Sequence, residues 1–182
     1  PIGYKLYVKE NPAQSVRYWR SISEYKDMLN IPNIRLFHPN ISTESILEKC
    51  SLVITIGGSS GLDAAFYQKP SIIFTDLGYS ILPSVSKLNS IDELPFAIRD
   101  SLKKKVDSDD LDRYLTILHD NSFDFDPLEF ENKYNEFFYY GGHYLSVNIE
   151  ESKMKDFLEE NKITIDNLAT EFEKKINYLK KI

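Results

Sequence analysis

The chain has 182 residues, 42% of them hydrophobic and 27% charged, the balance of a folded globular domain with room for a sizeable core. Its formal net charge of −6 argues against a broad electrostatic grip on nucleic acid or anionic lipid, although a local basic patch can still hold a phosphate. Cys50 has no second cysteine to pair with, which fits a reducing compartment, and neither a membrane-spanning apolar run nor a signal peptide is legible. The chain opens on Pro1 with Tyr4 already in a strand-like run, so an upstream segment is expected, able to carry a signal, an anchor or another domain.

Strand and helix patterns alternate over the first two-thirds. Tyr4–Val8 reads as a strand, and Lys9–Ser15, with Asn11-Pro12, as a loop. Val16, Trp19, Ile22, Tyr25, Met28 and Leu29 recur at helical spacing until Ile31-Pro32-Asn33 breaks the helix. Ile34–Phe37 is a second strand, closed by His38-Pro39-Asn40. Ser42 is placed to cap a short helix ending near Lys49, with Glu44 at its positive end. Leu52–Ile56 is a continuous apolar strand, the pattern of a strand buried on both faces. Gly57-Gly58-Ser59-Ser60-Gly61 then turns the chain into a helix of about two turns. Lys69-Pro70 stops that helix, and Ser71–Thr75 is the next strand.

This alternation predicts an α/β fold with a doubly wound parallel sheet, whose ligands bind beyond the carboxyl ends of the strands. The loops at 9–15, 38–42, 57–61 and 76–83 are therefore the ones that would reach a ligand. After Lys87 the pattern turns helical, at Ile91–Lys104, Asp109–Leu118 and Glu129–Phe138. Phe123–Asp126 is an acidic-aromatic connector, and Tyr139-Tyr140-Gly141-Gly142-His143 reads as a turn. From Asp166 onward, Leu168, Ala169, Phe172, Ile176 and Leu179 form an apolar stripe on an otherwise charged helix, which needs something to cover it. Residues 1–145 are thus expected to form the α/β domain and 146–182 a helical tail.

The glycine-serine turn is the most informative stretch. Glycines let a backbone bend sharply and let a ligand come close. A helix start offers N–H groups and a positive dipole end, and Ser59 and Ser60 add hydroxyls, which together suit a phosphate or diphosphate. Asp63, in the first helical turn, is placed to reach a ribose hydroxyl. The residues alone equally allow a plain turn capped by one of the serines, because neither the dinucleotide nor the nucleoside-triphosphate glycine pattern is present. Gly58-Ser59-Ser60-Gly61 is also one residue short of a hydrolase elbow.

The order of features resembles the donor-binding signature of GT-B glycosyltransferases: two glycines, a hydroxyl pair, an acid with alanines, Lys69-Pro70, then an apolar strand. Three further stretches resemble capsular polysaccharide biosynthesis proteins of the Kdo-transferase type. They are Tyr7-Val8-Lys9-Glu10-Asn11-Pro12-Ala13-Gln14, Ile31–Pro39 with Ser42-Thr43, and Phe74-Thr75-Asp76-Leu77-Gly78-Tyr79. The resemblance spans residues 4–90. It implies a Rossmann-like C-terminal half of a two-domain enzyme that moves a sugar from a nucleotide-activated donor in bacterial capsule or surface polysaccharide synthesis. CMP is among the candidate nucleotides. The donor phosphate would lie on Gly57, Gly58, Ser59, Ser60 and Gly61, the ribose near Asp63, and the base near His38, with Glu10 and Asn11 in the first loop. The nucleotide sugar is a substrate, so no cofactor is implied.

The expected partners are a glycan or glycolipid acceptor and an N-terminal GT-B domain, onto which the C-terminal helix of such enzymes crosses back. That second domain would supply the general base, so the chain alone is expected to bind donor without turnover. The resemblance places the protein in the cytoplasm, at the inner face of the membrane through its missing part.

Two departures stand out. Asn11 occupies the histidine position of the family's His-Pro pair, where the imidazole contacts donor phosphate; asparagine donates a hydrogen bond but carries no charge. Lys5, Lys9 or Arg17 would supply charge there or be plain surface residues. Gln68 precedes Lys69-Pro70 where glycine is common, which affects the turn more than the chemistry. Glu10 reads as a site carboxylate or a strand-end surface charge, and His38 as a base-cradling or ordinary loop residue. His38, His119, His143 and Cys50 make no metal-ligand spacing. Two other readings stay open: a sugar-nucleotide 2-epimerase-like enzyme, and a non-catalytic nucleotide-binding or assembly module, which Asn11 favours.

Overall fold

The computed structural model describes residues 3–11, 20–138 and 149–181. It is α/β with parallel strands, as the alternation predicts, and divides into two compact units, Pro1–Ile117 and Leu118–Ile182. The boundary near 145 and the turn at 139–143 read from the sequence lie outside the described residues, as do Val16 and Trp19. Among the described residues no helix is long and apolar enough to cross a membrane.

In the first unit, β1 (Leu6–Lys9) pairs in parallel with β2 (Ile34–Phe37), Tyr7 opposite Arg35. Tyr7 and Phe37 stack at 4.8 Å on this ladder. Between the strands runs α1 (Ile22–Leu29). Its start is set by Ser21 and Glu24: the Glu24 N–H donates to Ser21 Oγ, and the Ser21 N–H donates to Glu24 Oε2 at 2.7 Å. Those Ser21 bonds hold the Glu24 carboxyl below the usual carboxylate range. After β2 comes α2 (Thr43–Leu47), preceded by Ser42, whose side chain makes no capping bond.

β3 (Val53–Ile54), β4 (Ser71–Ile73) and β5 (Val85–Lys87) form a second, parallel ladder in that order. Among the described residues the strands form two ladders of two and three strands, not one sheet. The Leu52–Ile56 and Ser71–Thr75 strands are shorter as regular pairs than the apolar runs suggest, and the first is not buried on both faces: it is the edge of its ladder, with Ile54 and Ile56 exposed. Their hydrogen bonding nevertheless continues, from the Thr55 N–H to Ile72 O and from the Phe74 N–H to Ile56 O, both 3.0 Å. β5 is a strand that the sequence pattern does not announce.

β4 is buried along its length and carries the core. Ile73 packs with Ala65 of α3 (Ser60–Phe66), with Tyr79, Leu82 and Val85, and with Leu111 and Tyr114 of α5 (Ser108–Asp120). α4 (Leu94–Ser101), with Pro95 in its first turn, also packs on β4, and Ser101 meets Ser86 at 3.1 Å. The single long helix read over Ile91–Lys104 is thus a short 3-10 turn at Ile91–Glu93 followed by α4.

The second unit contains α6 (Pro127–Phe138), α7 (Glu151–Glu160) and α8 (Lys162–Leu179). Its core is aromatic. Phe157 of α7 is buried and meets Phe130, Tyr134, Phe137 and Phe138 of α6 edge-on, at centroid distances of 5.0–6.0 Å. Asn161, buried between α7 and α8, donates its side-chain amide to Phe157 O at 2.9 Å. α8 starts four residues before Asp166, and Phe172, Ile176 and Leu179 of its stripe are exposed.

α3 ends in a Schellman motif. The Lys69 N–H donates to Ala64 O at 2.9 Å and the Gln68 N–H to Ala65 O at 3.0 Å. Closing it puts Gln68 in the left-handed region, at φ 55°. A side chain is strained there, and glycine is the relaxed residue. Gln68→Gly is therefore expected to stabilise the first unit by about 0.5–1 kcal/mol, after the extra unfolded-state freedom of glycine is subtracted. A higher urea midpoint at unchanged slope checks this; a lower midpoint would show that the strain is absent.

Candidate functional site

Parallel pairing puts the carboxyl ends of β3, β4 and β5 on one edge of the second ladder, so the loops after them share that edge. The Gly57–Gly61 turn follows β3. The segment from Phe74 to Ser84, which includes a 3-10 turn at Gly78–Ile81, follows β4.

The turn is held by neighbours on three sides. The Gly58 N–H donates to Thr55 Oγ1 at 3.1 Å, and the Gly58 carbonyl accepts from the Tyr79 hydroxyl at 2.6 Å and from the Gly61 N–H at 3.1 Å. On the helix side, Ser71 Oγ donates to Gly61 O at 2.9 Å, a buried bond reaching from β4. No glycine of the turn has a positive φ. Their necessity is steric instead. A Cβ on Gly57 would lie 2.5 Å from Thr75 Cγ2, one on Gly58 2.9 Å from Thr55 Oγ1, and one on Gly61 2.6 Å from the Tyr79 hydroxyl. Glycines at all three positions let the turn press against its own walls.

Close packing leaves Ser59 exposed and Ser60 half-buried, its Oγ near Gly58. Ser59 is exposed, sits at the helix entry with α-helical dihedrals, and makes no capping bond through its side chain. The plain reading, in which Ser59 is a cap, therefore lacks its hydrogen bond. Ser60 opens α3, and neither serine hydroxyl is hydrogen-bonded among the described residues. Asp63 is half-buried on the first turn of α3, its N–H donating to Ser59 O at 2.8 Å.

Tyr79 is the residue that sequence reasoning missed. Burial, with a smaller contribution from the Asp63 carboxylate, raises its hydroxyl above the usual phenol range, so it stays protonated and remains a donor. Only its place in the Phe74–Tyr79 stretch hinted at it. Asp76, in the same loop, pairs with Lys87 at the end of β5 at 2.7 Å, and that hydrogen bond holds its carboxyl below the usual range.

Glu10, Asn11 and His38 stand at the carboxyl ends of the other ladder, after β1 and β2. Glu10 Oε1 is paired with Arg20 Nε at 2.5 Å, so its charge is compensated by an arginine that the sequence pattern did not single out. His38 is exposed, and its Nδ1 accepts from the Asn40 N–H at 3.2 Å, which shapes the His38–Ile41 turn. Asn11 is exposed at the end of the described segment. Among the described residues, Glu10 and His38 make no hydrogen bond or ion pair with the glycine-serine turn. The turn, Asp63, Tyr79 and Thr55 are thus gathered by direct contacts and shared hydrogen bonds, while the first-ladder residues form a separate set.

Tyr79→Phe tests the hold on the turn. Gly58 O keeps the Gly61 N–H, so the loss is one neutral hydrogen bond, about 1 kcal/mol by urea unfolding. Amide exchange at Gly58 and Gly61 is expected to accelerate, with exchange in β4 changed only by the global loss. Equal changes throughout would show that the hydroxyl merely supports the core.

Comparison with protein-family models, with curated proteins and with solved structures finds no match to this chain.

Proposed function

We propose that the chain binds the donor of a glycosyltransferase, a nucleotide-activated sugar, at the Gly57–Gly61 turn, and that it is the donor-binding part of a GT-B enzyme of capsule or surface polysaccharide synthesis. In this reading the two parallel ladders belong to one doubly wound, Rossmann-like arrangement. The observation that carries it is the turn itself: fixed on the carboxyl edge of a parallel ladder, with glycines packed against side-chain walls and two serine hydroxyls that no described residue hydrogen-bonds. Such a turn offers hydroxyl donors and the entry of a helix to an oxyanion with little reorganisation.

The residue order around it, Gly57-Gly58-Ser59-Ser60 through Asp63 to Lys69-Pro70, resembles the GT-B donor signature and supplies the sugar-nucleotide class. The diphosphate or phosphate would sit on Ser59 and Ser60, and Asp63 would accept from a ribose hydroxyl. Electrostatic stabilisation of the departing nucleotide is the chemistry such a site provides. The first loop would approach the phosphate from the other ladder, where the Glu10–Arg20 pair and Asn11 replace a free cationic imidazole. Acceptor activation would fall to another domain, so this chain is expected to bind donor without transferring sugar.

Calorimetry with CMP, CDP and UDP compounds tests the site. At least one is expected to bind, and Gly58→Val, whose side chain runs into Thr55, is expected to abolish that binding while the circular dichroism stays native. Affinity unchanged by the substitution for every nucleotide would remove the turn from the reading.

Asn11→His tests the first loop separately. An imidazole beside the donor phosphate gains its proton between about pH 8 and about pH 6, so its attraction grows as pH falls through that window. The variant is expected to bind donor more tightly than the parent, with a larger gain at the lower pH. A gain independent of pH, or none, would place the loop away from the phosphate.

A further inference from the structure

The charge that the glycine-serine turn lacks carries the inference, which rests on the reading of that turn as a nucleotide site. Residues 53–68 and 71–98 contain β3, β4, β5 and the loops at their carboxyl ends, and in them the chain has one basic side chain, Lys87. Asp63 and Asp76 stand in the same stretches, so an anion arriving at this edge meets carboxylates and a single cation. Lys69 precedes β4 and so belongs to the opposite edge of the ladder.

Lys87 closes β5 opposite Ile73 of β4, and the Leu88 N–H donates to Ile73 O at 2.9 Å, so its backbone is fixed on the ladder. Its ammonium reaches to the loop after β4 and meets Asp76 Oδ2 at 2.7 Å. Asp76 stands between Thr75 and Leu77, and these are the side chains that close on Gly57. A Cβ there would lie 2.5 Å from Thr75 Cγ2 and 3.8 Å from Leu77 Cδ1. The ammonium is thus held by the residue between the two that wall the turn. The pair is unequal: the Lys87 side chain is 35% exposed and that of Asp76 77%. The carboxylate is therefore the partner that water takes back with little loss.

We propose that Lys87 is the cationic contact for the ligand's phosphate groups at the Gly57–Gly61 turn, with Asp76 as its resting partner, displaced when the ligand arrives. Ser59 and Ser60 then supply hydroxyls and Lys87 the charge. A diphosphate carries more charge than one carboxylate and offers more oxygens to an ammonium, so the exchange of partners favours the ligand. Until then Asp76 keeps the flexible lysine stem over this edge. Asp76 is accordingly a positioning residue and a competitor at once. The charge that Asn11 cannot supply comes in this way from the second ladder and needs nothing from the first loop.

Calorimetry of CDP, UDP and inorganic pyrophosphate against the full chain and its variants tests the assignment. Lys87→Gln is expected to weaken binding about tenfold, as loss of a charge-assisted phosphate contact does. It should also flatten the fall of affinity between about 0.05 and 0.5 M salt, because the screened charge is gone. Asp76→Asn, which frees the ammonium, is expected to tighten binding about threefold, within the range of an exposed ion pair. A residue that merely supports the loop would give the opposite sign. In the double variant the gain should vanish, since it acts only through Lys87. Native circular dichroism in each variant confirms that the fold is kept.

Binding that Gly58→Val abolishes but Lys87→Gln leaves unchanged would overturn the assignment and leave the turn as the site. A loss with Asp76→Asn, or a gain that survives Lys87→Gln, would overturn the exchange of partners. Pyrophosphate bound with the same dependence on Lys87, while neither nucleotide binds, would support Lys87 and overturn the nucleotide reading alone. No binding of any of the three would overturn both.

Discussion

The hydrogen bond from Tyr79 to Gly58 ties the exposed turn to the buried strand, and much of the first unit is arranged around that tie. Tyr79 packs on Ile73, the fully buried end of β4, while its hydroxyl reaches the turn that follows β3. Ser71, at the other end of β4, holds Gly61. The buried strand and the 3-10 turn after it therefore hold the entry of α3 through two side-chain hydroxyls, one on each side of Ser59 and Ser60. Each bond contributes about 1 kcal/mol, but each also sets where a carbonyl points, and through that where Ser59 and Ser60 face. The glycines follow from the same constraint. With the tyrosine ring against Gly61 and Thr75 against Gly57, no Cβ fits at either place.

This explains which features the sequence could disclose. Ile34–Phe37 and the buried Ser71–Ile73 run are legible because apolar, β-branched residues between turn formers have few alternatives. β5 is not, since Val85-Ser86-Lys87 is three residues long, carries two polar side chains and exists by pairing with Ile72 and its neighbours. α7 is similar: its polar majority hides Phe157, whose burial comes from the aromatic face of α6 and not from its own periodicity. The start of α1 is legible in Ser21 and Glu24, which have capping-box spacing, whereas the apolar repeat over Ile22, Tyr25, Met28 and Leu29 marks the face and not the first residue.

At the candidate site the split is sharper. That Gly57 to Gly61 form a turn into a helix is readable from order alone. Why three glycines are needed is not, because the reason is a tertiary contact with Thr75 and Tyr79, and glycine reads the same whether it serves a left-handed dihedral or a close approach. Among the described residues the one non-glycine position that adopts a left-handed dihedral is Gln68, where the side chain gives no warning. Its departure from glycine was visible as a departure, and the structure supplies the cost: a Schellman motif closed by a residue with a Cβ.

The two units solve the problem of a small core differently. The first buries aliphatic side chains around a parallel strand and seals them with hydrogen-bonded hydroxyls. The second relies on one ring, Phe157, surrounded by four others, and leaves the later half of its longest helix with an open apolar stripe. A unit of that size buries a modest share of its surface, so exposed Phe172, Ile176 and Leu179 represent stabilisation still to be gained, about 1.5–3 kcal/mol for each side chain fully covered. Rigidity in the first unit favours a preformed ligand turn, where little ordering is needed on binding. In the second unit the stripe on α8 stays the part whose burial is incomplete among the described residues.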